Sequence, residues 1–441
     1  MQGYKNSGIE WIGSIPSDWK LDKIKYMANL YGRIGWQGLT SEEYIDEGPF
    51  LVTGVDFCKG RIDWNNCVHI SEKRWEQADK IQIKNEDLLI TKDGTVGKVA
   101  IVSDLNGKAS LNSGVLLIDL KDKNSKKYLY WVLCSDVFWT WFNYKNSGNS
   151  TILHLYQKDF NEFIYTIPEL KEQKLIANFL DKKGSEINAI IEKIENQINL
   201  LKDYKKSLII ETVTKGLNKN VSMKDSGIEW IGEIPEEWDV SKIKYSLILM
   251  GSGSTPDSSN PFNYDGEINW IQSGDLYGKS YITETEKTIT KYALHGNKSL
   301  KRYIAPFVVV AMYGASVGNI ALSQIDSYTN QACCVMKGDN SLDNKYLYYF
   351  LIANKHEMLM LAIGGTQPNI SQQLIKNLTI IIPKFNDQLE IVEFLDKKCS
   401  EIDSVISKKE RQLDLIKEHR KSLIYEYVTG KKRVGGLEND N

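Results

Sequence analysis

Histidine is scarce in this chain, with five in 441 residues, and none stands in H-x-x-x-H or H-E-x-x-H spacing. That excludes the familiar helical zinc-hydrolase patterns. The six cysteines (Cys58, Cys67, Cys134, Cys333, Cys334, Cys399) form no C-x-x-C pair. They argue for free thiols in a reduced, cytoplasmic setting, with no metal bound. The first residues, Met-Gln-Gly-Tyr-Lys-Asn-Ser, lack the apolar stretch of an export signal. Long hydrophobic runs are also missing. The nearest to one, Ile304–Leu322, is broken by Pro306, Gly314, Ser316, Gly318 and Asn319, which predicts strand, glycine turn, strand. Neither charge sign dominates, the net being −2. Any contact with nucleic acid must therefore come from a local face, because there is no global attraction.

What the chain does have is a duplication. Ser-Gly-Ile-Glu-Trp-Ile-Gly occurs at Ser7–Gly13 and again at Ser226–Gly232. Ser7–Tyr26 matches Ser226–Tyr245 at 14 of 20 positions, and Gln173–Thr214 matches Gln388–Thr429 at 23 of 42. Between those ends the copies share only scattered anchors. A period this long cannot be a solenoid repeat, so each copy is a domain with an appended element.

Each block opens with W-I-G-x-I-P-x-x-W, placing Trp11 and Trp19 in one copy and Trp230 and Trp238 in the other. These rings are expected to anchor the start of each domain by packing. The middles read as mixed α and β: short β-branched runs such as Val115–Leu120 and Phe307–Met312 alternate with turns rich in Gly, Asn and Asp. The segments Gln173–Thr214 and Gln388–Thr429 contain no proline and almost no glycine, and predict long helices. Leu180, Ile187, Ile194, Leu201 and Leu208 recur every seven residues, and Ile190, Ile191, Ile198 and Tyr204 fill in the same stripe. Leu395, Ile402, Ile416 and Leu423 repeat the seam, interrupted at Lys409. A helix over 173–216 would extend about 65 Å, too long for the inside of one small domain. Two matched seams in one chain predict that the helices pair with each other; pairing with an outside subunit is the alternative. The expected architecture is α+β and pseudo-two-fold symmetric: domains over 1–172 and 217–387, helices over 173–216 and 388–433 forming an antiparallel intramolecular coiled coil, and a tail over 434–441.

Fragments that imitate active sites do not hold up. Gly94-Thr-Val-Gly-Lys98 fails the phosphate-loop pattern at its first glycine and at its closing hydroxyl. Asn260-Pro-Phe-Asn263 departs from the N-P-P-aromatic signature of adenine methyltransferases and predicts a turn. Asp181-Lys-Lys183, repeated as Asp396-Lys-Lys398, has nuclease-like spacing without a second acidic ligand; an Asp near a helix N-terminus complementing the dipole suffices to explain it. No catalytic or metal constellation emerges, so the chain reads as a binding protein.

The order W-I-G-x-I-P-x-x-W, a variable domain with Gly94-Thr-Val-Gly or Gly314-Ala-Ser-Val-Gly, Gly365-Thr-Gln-Pro-Asn-Ile-Ser371, Ile-Pro at 167–168 and 382–383, and a Gln-led helix, all duplicated, resembles the specificity subunit of type I restriction-modification systems. The first copy departs by having Asn149-Ser-Thr-Ile-Leu-His154 at the position of that Gly-Thr-Gln-Pro-Asn run. The resemblance implies two target-recognition domains, each reading one half of a bipartite site in double-stranded DNA, and helices that set the spacer and dock modification subunits, two in the expected complex. It also implies restriction subunits. S-adenosylmethionine, ATP and Mg belong to those partners, and no cofactor is expected on this chain. Direct readout needs polar side chains on exposed loops. The candidates are Lys92, Thr95, Lys98, Asn149, Ser150 and Thr151 in the first domain, and Ser316, Asn319, Thr366, Gln367 and Asn369 in the second. For each, a purely structural turn or cap is the competing reading. The competing function is a protein–protein scaffold that uses the paired helices without touching DNA.

Overall fold

The computed structural model describes residues 3–33, 39–121, 124–147, 153–362 and 369–435. The chain divides into two compact units, Met1–Glu195 with Arg411–Asn441, and Asn196–Glu410.

In the first unit a four-stranded antiparallel sheet runs in the order Val99–Ile101, Leu88–Thr91, Val115–Leu120, Ala28–Gly32. Leu88, Ile90, Leu116 and Ile118 turn one face onto the helices Lys126–Leu133 and Asp136–Asn146. Leu89, Ala100, Val115 and Leu117 turn the other face onto a second sheet, in which Ile45–Val52 pairs in parallel with Ala109–Leu111. A strand covered on both sides reads as a continuous apolar run, which is why Leu88–Ile90 shows no alternation.

The second unit repeats the plan. Ile320–Ser323, Phe307–Ala311, Cys333–Gly338 and Leu247–Ser252 form the matching ladder, and Tyr281–Ile282 adds a parallel edge strand beside Ile320–Ser323. Tyr264–Ile271 pairs in parallel with Tyr328–Thr329 in the smaller sheet. The segment Ile304–Leu322 is thus strand, turn, strand, and Asn260 caps a single 3-10 turn at Pro261–Asn263, as the sequence suggested.

The long helices span Leu170–Lys215 and Phe385–Val428. In the first unit the beginning of one meets the end of the other: Ile176, Ala177 and Leu180 share a core with Ile424 and Val428, Phe179 packs at a tilt against Tyr427 with ring centres 4.4 Å apart, and Glu195 pairs with Lys417 at 3.2 Å. In the second unit Ile209 and Val213 share a core with Ile391, Val392 and Leu395, while Lys202 pairs with Glu410 at 3.4 Å and Lys205 with Asp403 at 2.6 Å. The pairing is antiparallel and intramolecular. Leu180, Ile187 and Ile194 are buried in the seam as their spacing predicted, and so are Leu395 and Ile402. The strict heptad then drifts. Leu201, Leu208, Ile416 and Leu423 are only half-buried, and Ile198, Ile209, Val213, Ile424 and Val428 take over. An α-helix slips about 20° per heptad, so a seven-residue repeat leaves the contact line unless the helices supercoil to follow it. Ile190 and Tyr204, which the sequence placed in the stripe, point outward.

The repeated tryptophans lock the helix ends. Trp19 donates its indole N–H to Glu172 in the first turn of the first long helix at 3.0 Å, and lies against Gly430, just past the end of the second. Trp238 does the same with Asp387 at 3.4 Å and Gly216. Both glycines have φ +71°, the left-handed conformation that terminates helices, and a Cβ at Gly430 would stand 2.5 Å from Pro16. Packing thus accounts for this motif.

One expectation is corrected. Asp181 and Asp396 sit eleven residues into their helices, beyond the reach of the N-terminal dipole. They dock the domains instead. Asp181 accepts from the Trp131 indole at 2.8 Å and pairs with Lys127 at 3.0 Å. Asp396 accepts from Tyr281 and Tyr349 and pairs with Lys345 at 2.6 Å.

Candidate nucleic-acid interface

In each unit a glycine turn joins two adjacent strands of the sheet that packs on the helices, Leu88–Thr91 to Val99–Ile101 in the first and Phe307–Ala311 to Ile320–Ser323 in the second, and the same hydrogen bonds shape both turns. Thr91 N donates to Lys98 O at 2.9 Å and Gly97 N to Thr91 O at 2.9 Å; Ala311 N donates to Asn319 O at 2.9 Å and Gly318 N to Ala311 O at 2.8 Å. The second turn is one residue longer. Lys92 N donates to Gly114 O and accepts Leu155 N on its own carbonyl; Met312 repeats this with Ala332 O and Ile370 N. Leu155 and Ile370 are thereby tied back to the glycine turns. Two frames of one design carry different side chains at matching places.

Gly97 has φ +81°, and a Cβ there would stand 2.5 Å from Trp139. Only glycine fits. Gly318 has φ +73° and faces the flexible end of Leu359 at 3.0 Å, a softer restriction.

Among the predicted readers, Thr95 and Lys98 are exposed, yet both also pin the turn: the Thr95 hydroxyl donates to Gly54 O at 3.1 Å and the Lys98 ammonium reaches the same oxygen at 3.4 Å. Lys92 is half-buried and makes no side-chain hydrogen bond or ion pair among the described residues. Asn319 is half-buried, and its side-chain oxygen accepts from Lys355 at 3.1 Å. Burial holds the Lys355 ammonium below the usual lysine range. Ser316 caps the turn through its carbonyl, which accepts Asn319 N at 3.0 Å. Asn369 is exposed beside Ile370. Asn149, Ser150, Thr151, Thr366 and Gln367 lie outside the described residues.

The structure adds side chains that sequence reasoning passed over. His154 pairs with Asp93 on the first turn and packs at a tilt against Tyr156, ring centres 4.3 Å apart. Tyr313 on the second turn donates to Gln331 O at 2.5 Å. Tyr313 had adjacency to Gly314 as its signal, and His154 only its place at the end of the Asn149–His154 run; the Leu155 N to Lys92 O bond brings it to the first turn. Among the described residues no cluster of His, Cys, Asp and Glu could hold a metal ion, and no helix is long and apolar enough to cross a membrane.

A sequence profile described as the type I restriction modification DNA specificity domain matches residues 16–200 and again 235–415. The chain belongs to this family. Both matched segments are DNA specificity domains, each carrying one of the two glycine-turn frames. Among similar proteins are the putative type I restriction enzyme MjaX specificity subunit of Methanocaldococcus jannaschii, 27% identical with 98% of this chain and 99% of that protein covered, and the MjaVIII specificity subunit of the same organism, 27% identical with 99% of each covered. The EcoR124I/EcoR124II specificity subunit of Escherichia coli is 23% identical over 83% of each chain. The fold is similar to a chain solved in work on complex assembly and conformational transition of the type I R-M system, with a TM-score of 0.72 at 13% identity, covering 95% of this chain and 99% of that one.

Proposed function

We propose that this chain is the recognition component of a type I restriction-modification complex, in which each domain reads one half of a bipartite DNA target. The observation that carries the reading is the pair of glycine turns: identical main-chain bonding presents Lys92, Thr95 and Lys98 in one domain and Ser316, Asn319 and Asn369 in the other. A common frame bearing different donors and acceptors reads two different half-sites. The paired helices set the spacer and dock two modification subunits. Their exposed apolar residues, Leu200, Tyr204, Val405 and Leu415 among them, favour a protein-binding role. Restriction subunits join the same assembly. S-adenosylmethionine, ATP and Mg are bound by the partners, and this chain contributes recognition without catalysis, in the cytoplasm.

Methylome sequencing of the host with and without the gene tests this. Adenine methylation at one bipartite motif disappears on deletion; an unchanged map leaves only the scaffold reading.

A further inference from the structure

The antiparallel helices carry two copies of each cross-helix pair, and one pair is broken. Lys202–Glu410 in the second unit has its counterpart in Lys417–Glu195 of the first. Lys205 clasps both oxygens of Asp403, at 2.7 and 2.6 Å. The counterparts of those two residues in the first unit are Arg420 and Asn188, so the carboxylate is gone. The Arg420 side chain makes no hydrogen bond or ion pair among the described residues, and its Nε is buried without a partner.

Arg420 and Asn188 line a cleft of about 1040 Å³ between the first recognition domain and the long helices, together with Lys98, Arg61, Tyr130 and Trp139. The second unit covers the matching position with Tyr281, whose ring stacks on Tyr348 at 6.3 Å and whose hydroxyl reaches Asp396. The residue corresponding to Tyr281 is Arg61, fixed by matching bonds: Ile101 N donates to Gly60 O, and Leu322 N to Ser280 O. Arg61 is exposed and comes no nearer than 4.0 Å to Asp104. Cys399 is likewise replaced by Gly184, where a Cβ would stand 2.7 Å from Trp131.

The acidic residues of the cleft are already neutralised. Asp181 is taken by Trp131 and Lys127, Glu192 by Lys59, and Glu195 by Lys417. A guanidinium without a carboxylate, beside an amide and two further cations, remains. A fork of N–H donors next to uncompensated positive charge suits a phosphate group.

We infer that this cleft binds phosphate, through Arg420 and Asn188 with Arg61 and Lys98, either from a DNA backbone or from a nucleotide. The inference does not depend on the specificity reading, because its first probe is inorganic. The full chain is titrated with pyrophosphate, with ATP, and with a duplex lacking the methylated motif, following the fluorescence of Trp131 and Trp139 and, for the duplex, anisotropy. Two variants are compared: R420Q removes the fork, and N188D rebuilds the Lys205–Asp403 type of pair inside the cleft, so that an unchanged melting temperature certifies its fold. Both are expected to weaken pyrophosphate binding about tenfold or more, the scale of one charge-assisted hydrogen bond. A parallel loss with the duplex identifies backbone phosphate as the source, and with ATP alone a nucleotide. Wild-type protein that ignores all three probes overturns the inference. So do variants that lose only co-purifying subunits, which would assign the cleft to an acidic polypeptide.

Discussion

The hydroxyl of Tyr128 donates to the main-chain oxygen of Val428, 300 residues further on, at 3.1 Å, and Tyr346 donates to Val213 O at the same 3.1 Å. Each buried tyrosine thus satisfies a carbonyl at the C-terminal end of a long helix, where no intrahelical donor remains. Removing the Tyr346 hydroxyl leaves Val213 O short of a partner, whereas Val428 O keeps the Thr166 hydroxyl when Tyr128 loses its own. Tyr346→Phe is expected to lower stability by roughly 1–3 kcal/mol and Tyr128→Phe by less, each seen as a lower urea midpoint. No shift in either variant would show that these bonds do not hold the helix ends.

Gly97→Ala introduces a Cβ that collides with the rigid Trp139 ring at a left-handed φ, whereas Gly318→Ala meets only the end of Leu359. Both turns are left-handed and bear about 1–2 kcal/mol of backbone strain, and the ring clash is added only in the first. Methylation of genomic sites should drop more for Gly97→Ala than for Gly318→Ala. The reverse order would argue against these turns as the reading frames.

Lys23 and Lys25 both bond the Glu162 carboxylate and hold it at about 2, against an ordinary 4.5. A depressed carboxyl contributes stability that is fully present above its unfolded value and lost as pH falls from about 4.5 toward 2. NMR titration should place the Glu162 midpoint well below that of an ordinary glutamate. Replacing both lysines by alanine should raise it.

Of the six thiols, Cys58 is exposed, while Cys67, Cys333, Cys334 and Cys399 are buried and Cys134 is partly so. Burial raises the Cys134 thiol to about 11 and the Cys334 thiol to about 12. Thiolate is the reactive form, so a disulfide reagent at pH 8 should modify one cysteine quickly and six only after unfolding. Cys58→Ser should remove the fast phase.

Insertions in the helices test the division of labour. Because Glu195 pairs with Lys417 and Lys202 with Glu410, residues must be added to both helices at that level to preserve register. Paired insertions are expected to change the spacer in the methylated motif and leave both half-sites unaltered. Altered half-sites would contradict the separation of reading from spacing.

The duplication, the mixed α/β middles, the long helices and their antiparallel pairing were legible in the residues, because periodicity and repeated segments report local preference and buried faces directly. The heptad was legible only as far as Ile194. Beyond that the drift of a 3.6-residue helix and the cores of the domains decide which leucines and isoleucines are covered. Asp181 and Asp396 imitated dipole caps in one dimension and are docking points in three, since their partners Trp131 and Tyr349 come from helices about 50 residues away. Lys98 and Thr95 could be named from the glycine turn, but Gly54, the oxygen they share, could not.

By itself the sequence determined that there are two reading domains on one repeated frame, because identical residues at both ends of each copy impose the same local folding twice. Only the tertiary structure decided which repeated pair fails. Lys205 finds Asp403 across two helices while its counterpart Arg420 finds no carboxylate, and an ion pair depends on atoms meeting in space, which residue spacing along one helix does not specify.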